Sequence, residues 1–198
     1  MIKGLVSLLA GVVLCACDAK PLPTPDVATW RAEKDRYMRS SESPVPKEKR
    51  ATFPPLAYFP IDPAYQVPAS LAVAEGNEVL QIPTSSGQRR NMRRIGTLRF
   101  MLQGRELTLT AFVDADQKDM RRLFVPFGDF TNGTETYPGG RYLDLDRTAS
   151  GAYDLDFNRA YHPFCVFNAE YDCPYPPKEN RLALPIRAGE KLQGPHQP

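Results

Sequence analysis

The chain has 198 residues, 42% of them hydrophobic and 24% charged, with a formal net charge of +2. That balance is ordinary for a globular protein and lacks the basic excess that nucleic-acid binding requires. Its 20 prolines exclude a fold of long helices and favour short strands joined by ordered turns.

The amino terminus reads as an export signal. Lys3 is a lone positive charge, Leu5 to Leu14 are apolar except for Ser7 and Gly11, and Leu14-Cys15-Ala16-Cys17 follow. The apolar run is about half of the roughly 20 residues that span a bilayer, so it is a cleavable signal rather than a transmembrane helix. Its last four residues resemble the lipobox of bacterial lipoproteins, with Leu three places before a lipidated Cys. The resemblance implies removal of residues 1–16, lipid on Cys17, and an extracytoplasmic protein attached to a membrane. Asp18 resembles the inner-membrane retention signal of enteric lipoproteins. Residues 17–25, ending Lys20-Pro-Leu-Pro-Thr-Pro25, form a stiff extended tether.

Beyond the tether, Asp26 is a helix N-cap, and Val27, Trp30, Lys34 and Tyr37 recur at helical spacing. An amphipathic helix is expected to Ser40, then a polar loop to Arg50. Residues 51–192 read as a single β domain, and 193–198 as a flexible tail. Roughly 150 residues suit one core.

Strands follow in order. Tyr65 to Val73 alternates, Glu78 to Pro83 is short, and Thr84 to Gly87 is a turn. Arg94 to Val113 alternates on both sides of Gly104-Arg105, the pattern of a hairpin with a type II′ turn. Leu123 to Phe127 is a further strand. Arg141 to Asp146 and Tyr153 to Asn158 read as a second hairpin around Thr148 to Gly151. Phe164 to Phe167 and Arg181 to Ile186 complete about eight short strands. The expected fold is mainly β, a small antiparallel barrel or a sandwich, preceded by one helix.

Chemistry concentrates between Gly133 and Arg181. In the second hairpin, alternation places Asp144 and Asp156 on one polar face. Close carboxylates raise each other's pKa and suit acid–base work or a hard cation; a solvated outer face is the alternative. Glu135, Asp144, Asp156 and Glu179 are the candidate catalytic carboxyls. Arg141 and Arg181 carry forks suited to carboxylate or phosphate ligands, unless Glu135 and Glu179 pair with them internally. Tyr137, Asn158, Tyr161, Glu179 and Asn180 join the two arginines as candidate ligand contacts. Gly139-Gly140 permits a close backbone approach, as an anion seat or a plain turn. Cys165 and Cys173 survive signal removal as an even pair, so a disulfide is the first expectation in an oxidising compartment. The alternative is a three-ligand zinc site with His162.

Several blocks together carry a resemblance. Tyr58-Phe-Pro-Ile-Asp-Pro63, Phe124-Val-Pro-Phe127, Glu135-Thr-Tyr137, Gly140-Arg-Tyr-Leu143, Asp156-Phe-Asn-Arg-Ala-Tyr161, Pro163 with Cys165, Cys173-Pro174 and Pro176-Pro-Lys-Glu-Asn-Arg-Leu182 are similar to the bacterial family called domain of unknown function 1684. The blocks run from about Trp30 to Lys191. The resemblance implies no particular activity. It implies that some relatives keep both cysteines without an export signal, which leaves roles other than a disulfide open. His162 stands where the family carries Asn, which weakens it as a shared ligand.

The reading is an anchored β domain binding a small polar or anionic ligand, with no cofactor and no nucleic-acid partner; its oligomeric state is left open. The rivals are an envelope hydrolase using paired carboxylates and a non-catalytic scaffold or accessory subunit.

Overall fold

The computed structural model describes residues 26–117 and 121–193. Residues 1–25, over which a signal, a lipidated Cys17 and a tether are expected, and residues 194–198 lie outside the described residues.

Helix α1 spans Val27–Met38 and is capped by Asp26, whose carboxylate accepts the Ala28 N–H at 3.3 Å. Its inner face docks through polar groups more than through apolar ones. Arg31 donates to the carbonyls of Phe59 and Asn158 at 2.9 and 3.2 Å and stacks on the Tyr58 ring. Lys34 pairs with buried Glu190 at 2.7 Å, and Asp35 accepts the Leu56 N–H at 2.8 Å. The stretch expected as a polar loop is more ordered than its composition suggests. Ser43 and Val45 are buried beneath Arg50, whose guanidinium donates to the carbonyls of Ser41, Ser43 and Val45. Lys47–Arg50 forms the short helix α2.

Seven strands follow: β1 Gln66–Val73, β2 Val79–Pro83, β3 Arg89–Leu102, β4 Arg105–Asp114, β5 Arg122–Phe127, β6 Arg141–Asp146 and β7 Ala152–Asp156. The antiparallel sheet runs β6-β5-β4-β3-β1-β7, with β2 paired to the first part of β3. Its two ends approach where Tyr142 on β6 and Tyr161 beyond β7 exchange backbone hydrogen bonds of 2.9 and 3.0 Å. The result is a nearly closed barrel rather than a sandwich, an arrangement that leaves little unpaired edge. Among the described residues, no helix is long and apolar enough to cross a membrane.

Four local expectations are corrected. The β3–β4 hairpin turns at Gln103-Gly104, not Gly104-Arg105. Both residues have positive φ, 51° and 73°, which makes it a type I′ turn. Strands β6 and β7 do not form a hairpin. β7 pairs with β1, from Gln66↔Asp156 to Ser70↔Ala152, and residues 147–151 span between the two edges of the sheet. Phe164–Val166 is a 3₁₀ turn. The stretch from Arg181 to Ile186 keeps its alternation, with Leu182, Leu184 and Ile186 buried, but forms no strand. Pro185 has no N–H to offer a ladder, and the segment is tied to its neighbour by the isolated Gly128↔Arg181 bridge and the Phe130 N–H to Leu184 O bond at 3.3 Å.

The barrel interior is filled from alternating positions: Leu98, Phe100 and Leu102 on β3, Leu109, Ala111 and Val113 on β4, Leu123, Val125 and Phe127 on β5. Phe157 closes it, with its ring 5.4 Å from Phe127 edge-to-face and 5.7 Å from Phe100. Each such ring contributes about 1.5–3 kcal/mol by burial.

Candidate functional site

The structure divides the sequence-derived candidates into three groups. The first lies inside the fold and is tied to it by hydrogen bonds, with Arg141 Nε and Asp156 Oδ2 the buried atoms of the group that have no hydrogen-bond partner. Arg141 is fully buried; it pairs with Asp129 at 2.9 Å and donates to the carbonyls of Ile186, Ala188 and Glu190. Desolvation lowers its pKa, and the Asp129 carboxylate opposes that shift. Asn180 ties the backbones of β4 and β5 together: its carboxamide accepts the Thr110 N–H at 2.7 Å and donates to the Thr110 and Pro126 carbonyls. Asn158 bonds the Asp62 backbone in both directions and donates to Asp156. Asp156 is 3% exposed and caps the turn after β7. Its carboxylate turns inward, whereas Asp144 is exposed on β6 and accepts from Tyr161, so the expected carboxylate pair is not assembled.

The second group lies on the surface. Glu135 binds the Arg187 guanidinium at 2.9 and 3.0 Å, and Glu179 pairs with Arg94 at 3.2 Å. Arg181 is exposed with its stem over Gly128, and no carboxylate among the described residues pairs with it. Gly139 and Gly140 make a plain turn, closed by Gly140 N–H to Tyr137 O at 3.0 Å; the Tyr137 and Tyr175 rings crowd the space an anion would need at Gly139.

The third group surrounds a cleft on the barrel exterior, where the 164–175 segment lies against β5 and β6. Phe124, Tyr142 and Tyr161 form an edge-to-face series, with centroids 4.6 and 5.7 Å apart. Phe164 and Tyr171 make a second edge-to-face pair at 5.4 Å. With Arg90 and Asp172 they enclose about 230 Å³. A neighbouring hollow of about 250 Å³ shares Arg90, Phe124 and Pro174 and adds Arg122 and Asp144. The walls are fixed: Tyr142 donates to the Pro174 carbonyl at 2.6 Å, and Arg90 donates to the Asp172 carbonyl at 2.9 Å. At the rim Tyr161 donates to Asp144 at 3.0 Å, and the Lys34 ammonium sits 4.1 Å from the Tyr161 ring centre. Desolvation raises the Asp144 pKa, and the Tyr161 hydrogen bond opposes it.

Beside this cleft Cys165 and Cys173 are free thiols, not the expected disulfide. The Cys165 N–H donates to Cys173 Sγ at 3.2 Å. The Cys165 pKa is lowered to about 6, chiefly by a hydrogen bond from the Cys173 thiol, with the Ser85 and Tyr137 hydroxyls adding to it against partial desolvation. The same bond and burial push the Cys173 thiol up. His162 does not join them as the third ligand of a zinc site. Its Nε2 accepts the Tyr137 N–H at 3.3 Å and its Nδ1 faces Glu190 at 3.7 Å. Among the described residues, no three His, Cys, Asp or Glu side chains are grouped to hold a metal ion.

Sequence reasoning found Tyr137, Tyr161, Asp144 and both cysteines. It missed Arg90, Tyr171 and Asp172 as partners. Tyr171-Asp172 stands between the two cysteines, and that aromatic-acidic dipeptide was an available signal. Arg90 offered none, because it meets its partner 82 residues away.

Comparison with other proteins agrees with the resemblance. The sequence model of the family described as "Protein of unknown function (DUF1684)" matches residues 51–191. The solution NMR structure of an uncharacterized protein of Haloarcula marismortui is similar, at 38% identity and a TM-score of 0.68, over 86% of this chain and 94% of that one. No curated protein matches.

Proposed function

The chain belongs to the DUF1684 family, and from that premise we propose that it is an exported, lipid-anchored binding domain whose ligand lies in the aromatic cleft. The observation that carries this reading is the pairing of five aromatic side chains with charged groups in one recess. Rings supply broad contact area at small cost in side-chain freedom, and a few polar groups fix orientation. Each hollow alone is smaller than a typical small-molecule pocket of about 300–1,000 Å³. Their shared wall at Arg90, Phe124 and Pro174 makes a furrow suited to a small or extended ligand with a flat body and a charged end. The proposed polar contacts keep Tyr161 and replace Arg141, Asn158 and Asn180 with Arg90 and Asp144. Lipid on Cys17 would hold this domain at the membrane surface, with residues 18–25 as the tether.

Native mass spectrometry of the exported chain carrying Cys17→Ser tests the reading. A carried-over small molecule is expected on the wild-type domain, lost in Tyr171→Ala and kept in Glu135→Ala. Aromatic acids and amines should raise the melting temperature of the first protein and not of the Tyr171 variant, since a ligand at about 100 times its Kd adds about 2.7 kcal/mol. No adduct and no thermal shift from either probe class would refute it.

One observation supports a second reading as a hydrolase. Asp144 combines a raised pKa with a hydrogen-bonding tyrosine at the rim of the furrow, a pattern suited to general acid–base work. It would act as a single carboxyl, since Asp156 is not beside it.

A further inference from the structure

The two thiols are unlike each other and unlike a structural staple. Cys173 is 7% exposed, whereas Cys165 is half-buried and reachable from solvent. The backbone of Cys165 already points its N–H at Cys173 Sγ. The loop between them is closed without an S–S bond. Its far end is tied to the β2–β3 turn by Ser85 N–H to Cys173 O at 2.9 Å, Tyr175 N–H to Pro83 O at 2.8 Å and Ser86 N–H to the Asp172 carboxylate at 3.0 Å. The Cys173 N–H also donates to Ser85 Oγ at 3.0 Å. A bond between the sulfurs would therefore add little that these contacts do not already hold. The two cysteines are held side by side by that N–H to Sγ contact, and the more exposed of them, Cys165, has Cys173, Ser85 and Tyr137 as the polar neighbours that lower its pKa. The thiolate is thus the form favoured at the accessible sulfur, and it is the thiolate that attacks disulfides.

We propose that Cys165 and Cys173 form a redox-active dithiol that exchanges with low-molecular-weight disulfides, with Cys165 as the attacking sulfur and Cys173 as the resolving one. The Cys165 thiolate attacks one sulfur of the incoming disulfide. That S–S bond breaks, its second sulfur leaves as a thiolate that takes a proton from water, and a mixed disulfide forms on Cys165. Cys173 then attacks Cys165 Sγ, and its proton goes to the departing second thiolate. The protein's two thiols are oxidised to one disulfide by two electrons, and the incoming disulfide is reduced to two thiols. A reducing dithiol reverses both steps. Attack on a slender disulfide suits the half-buried Cys165, and the more buried Cys173 is shielded until the mixed disulfide is in place.

The test uses the full chain with Cys15→Ser and Cys17→Ser, so that only this pair remains, equilibrated with oxidised and reduced glutathione. After acid quench and alkylation, intact mass and peptide mapping report each sulfur. The expected result is a protein lighter by two hydrogen atoms that regains both thiols in dithiothreitol while still folded. At early times the single glutathione adduct should map to Cys165. Adding Cys173→Ser should make that adduct accumulate, and adding Cys165→Ser should abolish it. First modification at Cys173, two stable adducts with no internal bond, or an internal bond that yields to reductant only after unfolding would each overturn the proposal. Because the early-time mapping is done without changing either cysteine, misfolding of a serine variant does not rescue it.

Discussion

Arg141 and Asp129 meet at 2.9 Å with neither side chain exposed to solvent. A charge pair in that setting is held by what surrounds it. Asp129 also accepts the N–H and hydroxyl of Thr131 and the N–H of Ile186, while Arg141 clamps the carbonyls of the 186–190 segment. The pair therefore fixes the C-terminal segment to the barrel. Arg141→Ala should strand a buried carboxylate and cost about 3–5 kcal/mol, where Arg181→Ala, at an exposed site, should change stability by about 0.5 kcal/mol or less. Urea unfolding of the two variants checks the contrast. Equal stability of both would show that Arg141 does not organise the fold.

Gly140 precedes that arginine with φ of +89°, and a Cβ there would lie 2.6 Å from both the Phe127 carbonyl oxygen and Pro176 Cγ. Backbone strain and close approach act together, so Gly140→Ala should lose about 1–3 kcal/mol from conformation alone and more from the clash. Gly133, also at positive φ but with open space around it, should lose only the conformational part. Thermal melts of the two alanine variants separate those contributions.

At the rim of the furrow, desolvation by the surrounding protein raises the Asp144 pKa and the Tyr161 hydroxyl holds it back. Tyr161→Phe removes that donor, so the Asp144 pKa should move further up, as read by carboxyl NMR titration. A group whose folded pKa exceeds its unfolded value favours folding in its protonated state. The increment is present below the unfolded value and is lost as pH rises through the folded one. The variant should accordingly lose more stability between mildly acidic and neutral pH than the wild type does. A downward or unchanged Asp144 pKa would remove Tyr161 as its partner.

The reduced thiol pair gives a pH signature of a different shape. Cys165 is held at about 6 against a reference of 9.0, and Cys173 is pushed above that same reference. Between about 6 and 9.0 the unfolded chain binds one more proton than the folded one, so stability rises with pH. It falls again above 9.0, where the unfolded chain loses both protons while folded Cys173 keeps its own. Iodoacetamide should modify Cys165 with a midpoint near 6, shifting toward an ordinary thiol in Cys173→Ala. A midpoint that ignores the Cys173 change would show that the neighbouring thiol does not stabilise the thiolate.

What the sequence carried, and what it did not, follows from the range of each signal. Period-two alternation is local, so the β3–β4 pair and the inward faces of Leu182, Leu184 and Ile186 were readable from residues alone. Helical spacing gave α1 for the same reason. Partner choice between strands is not local. Two adjacent runs around Thr148 to Gly151 look like a hairpin, and nothing in them records that β1 offers β7 a better edge. The same limit hid the structural roles of three candidates. Arg141, Asn158 and Asn180 stood out because polar residues among apolar ones suggest a ligand, yet buried backbone carbonyls and N–H groups need those partners equally. Their neighbours at Asp129, Asp62 and Thr110 are distant in the chain and were invisible until the barrel brought them together. The cysteines were found from composition, but their asymmetry comes chiefly from their contact with each other and also from Ser85 and Tyr137, on other segments.

The proposed anchor is tested apart from the barrel. Lipid attachment contributes about 0.8 kcal/mol per buried methylene, and a single acyl chain binds a membrane only reversibly, whereas a multi-chain anchor holds stably. If Cys17 carries that anchor, the mature protein should partition into the detergent phase of a cloud-point separation and incorporate labelled palmitate. Cys17→Ser should move it to the aqueous phase without label. Cys15→Ser should leave both readouts unchanged, because Cys15 leaves with the signal. Retention of label in the Cys17 variant would place the lipid elsewhere, and loss of label in the Cys15 variant would shift the processing site by two residues.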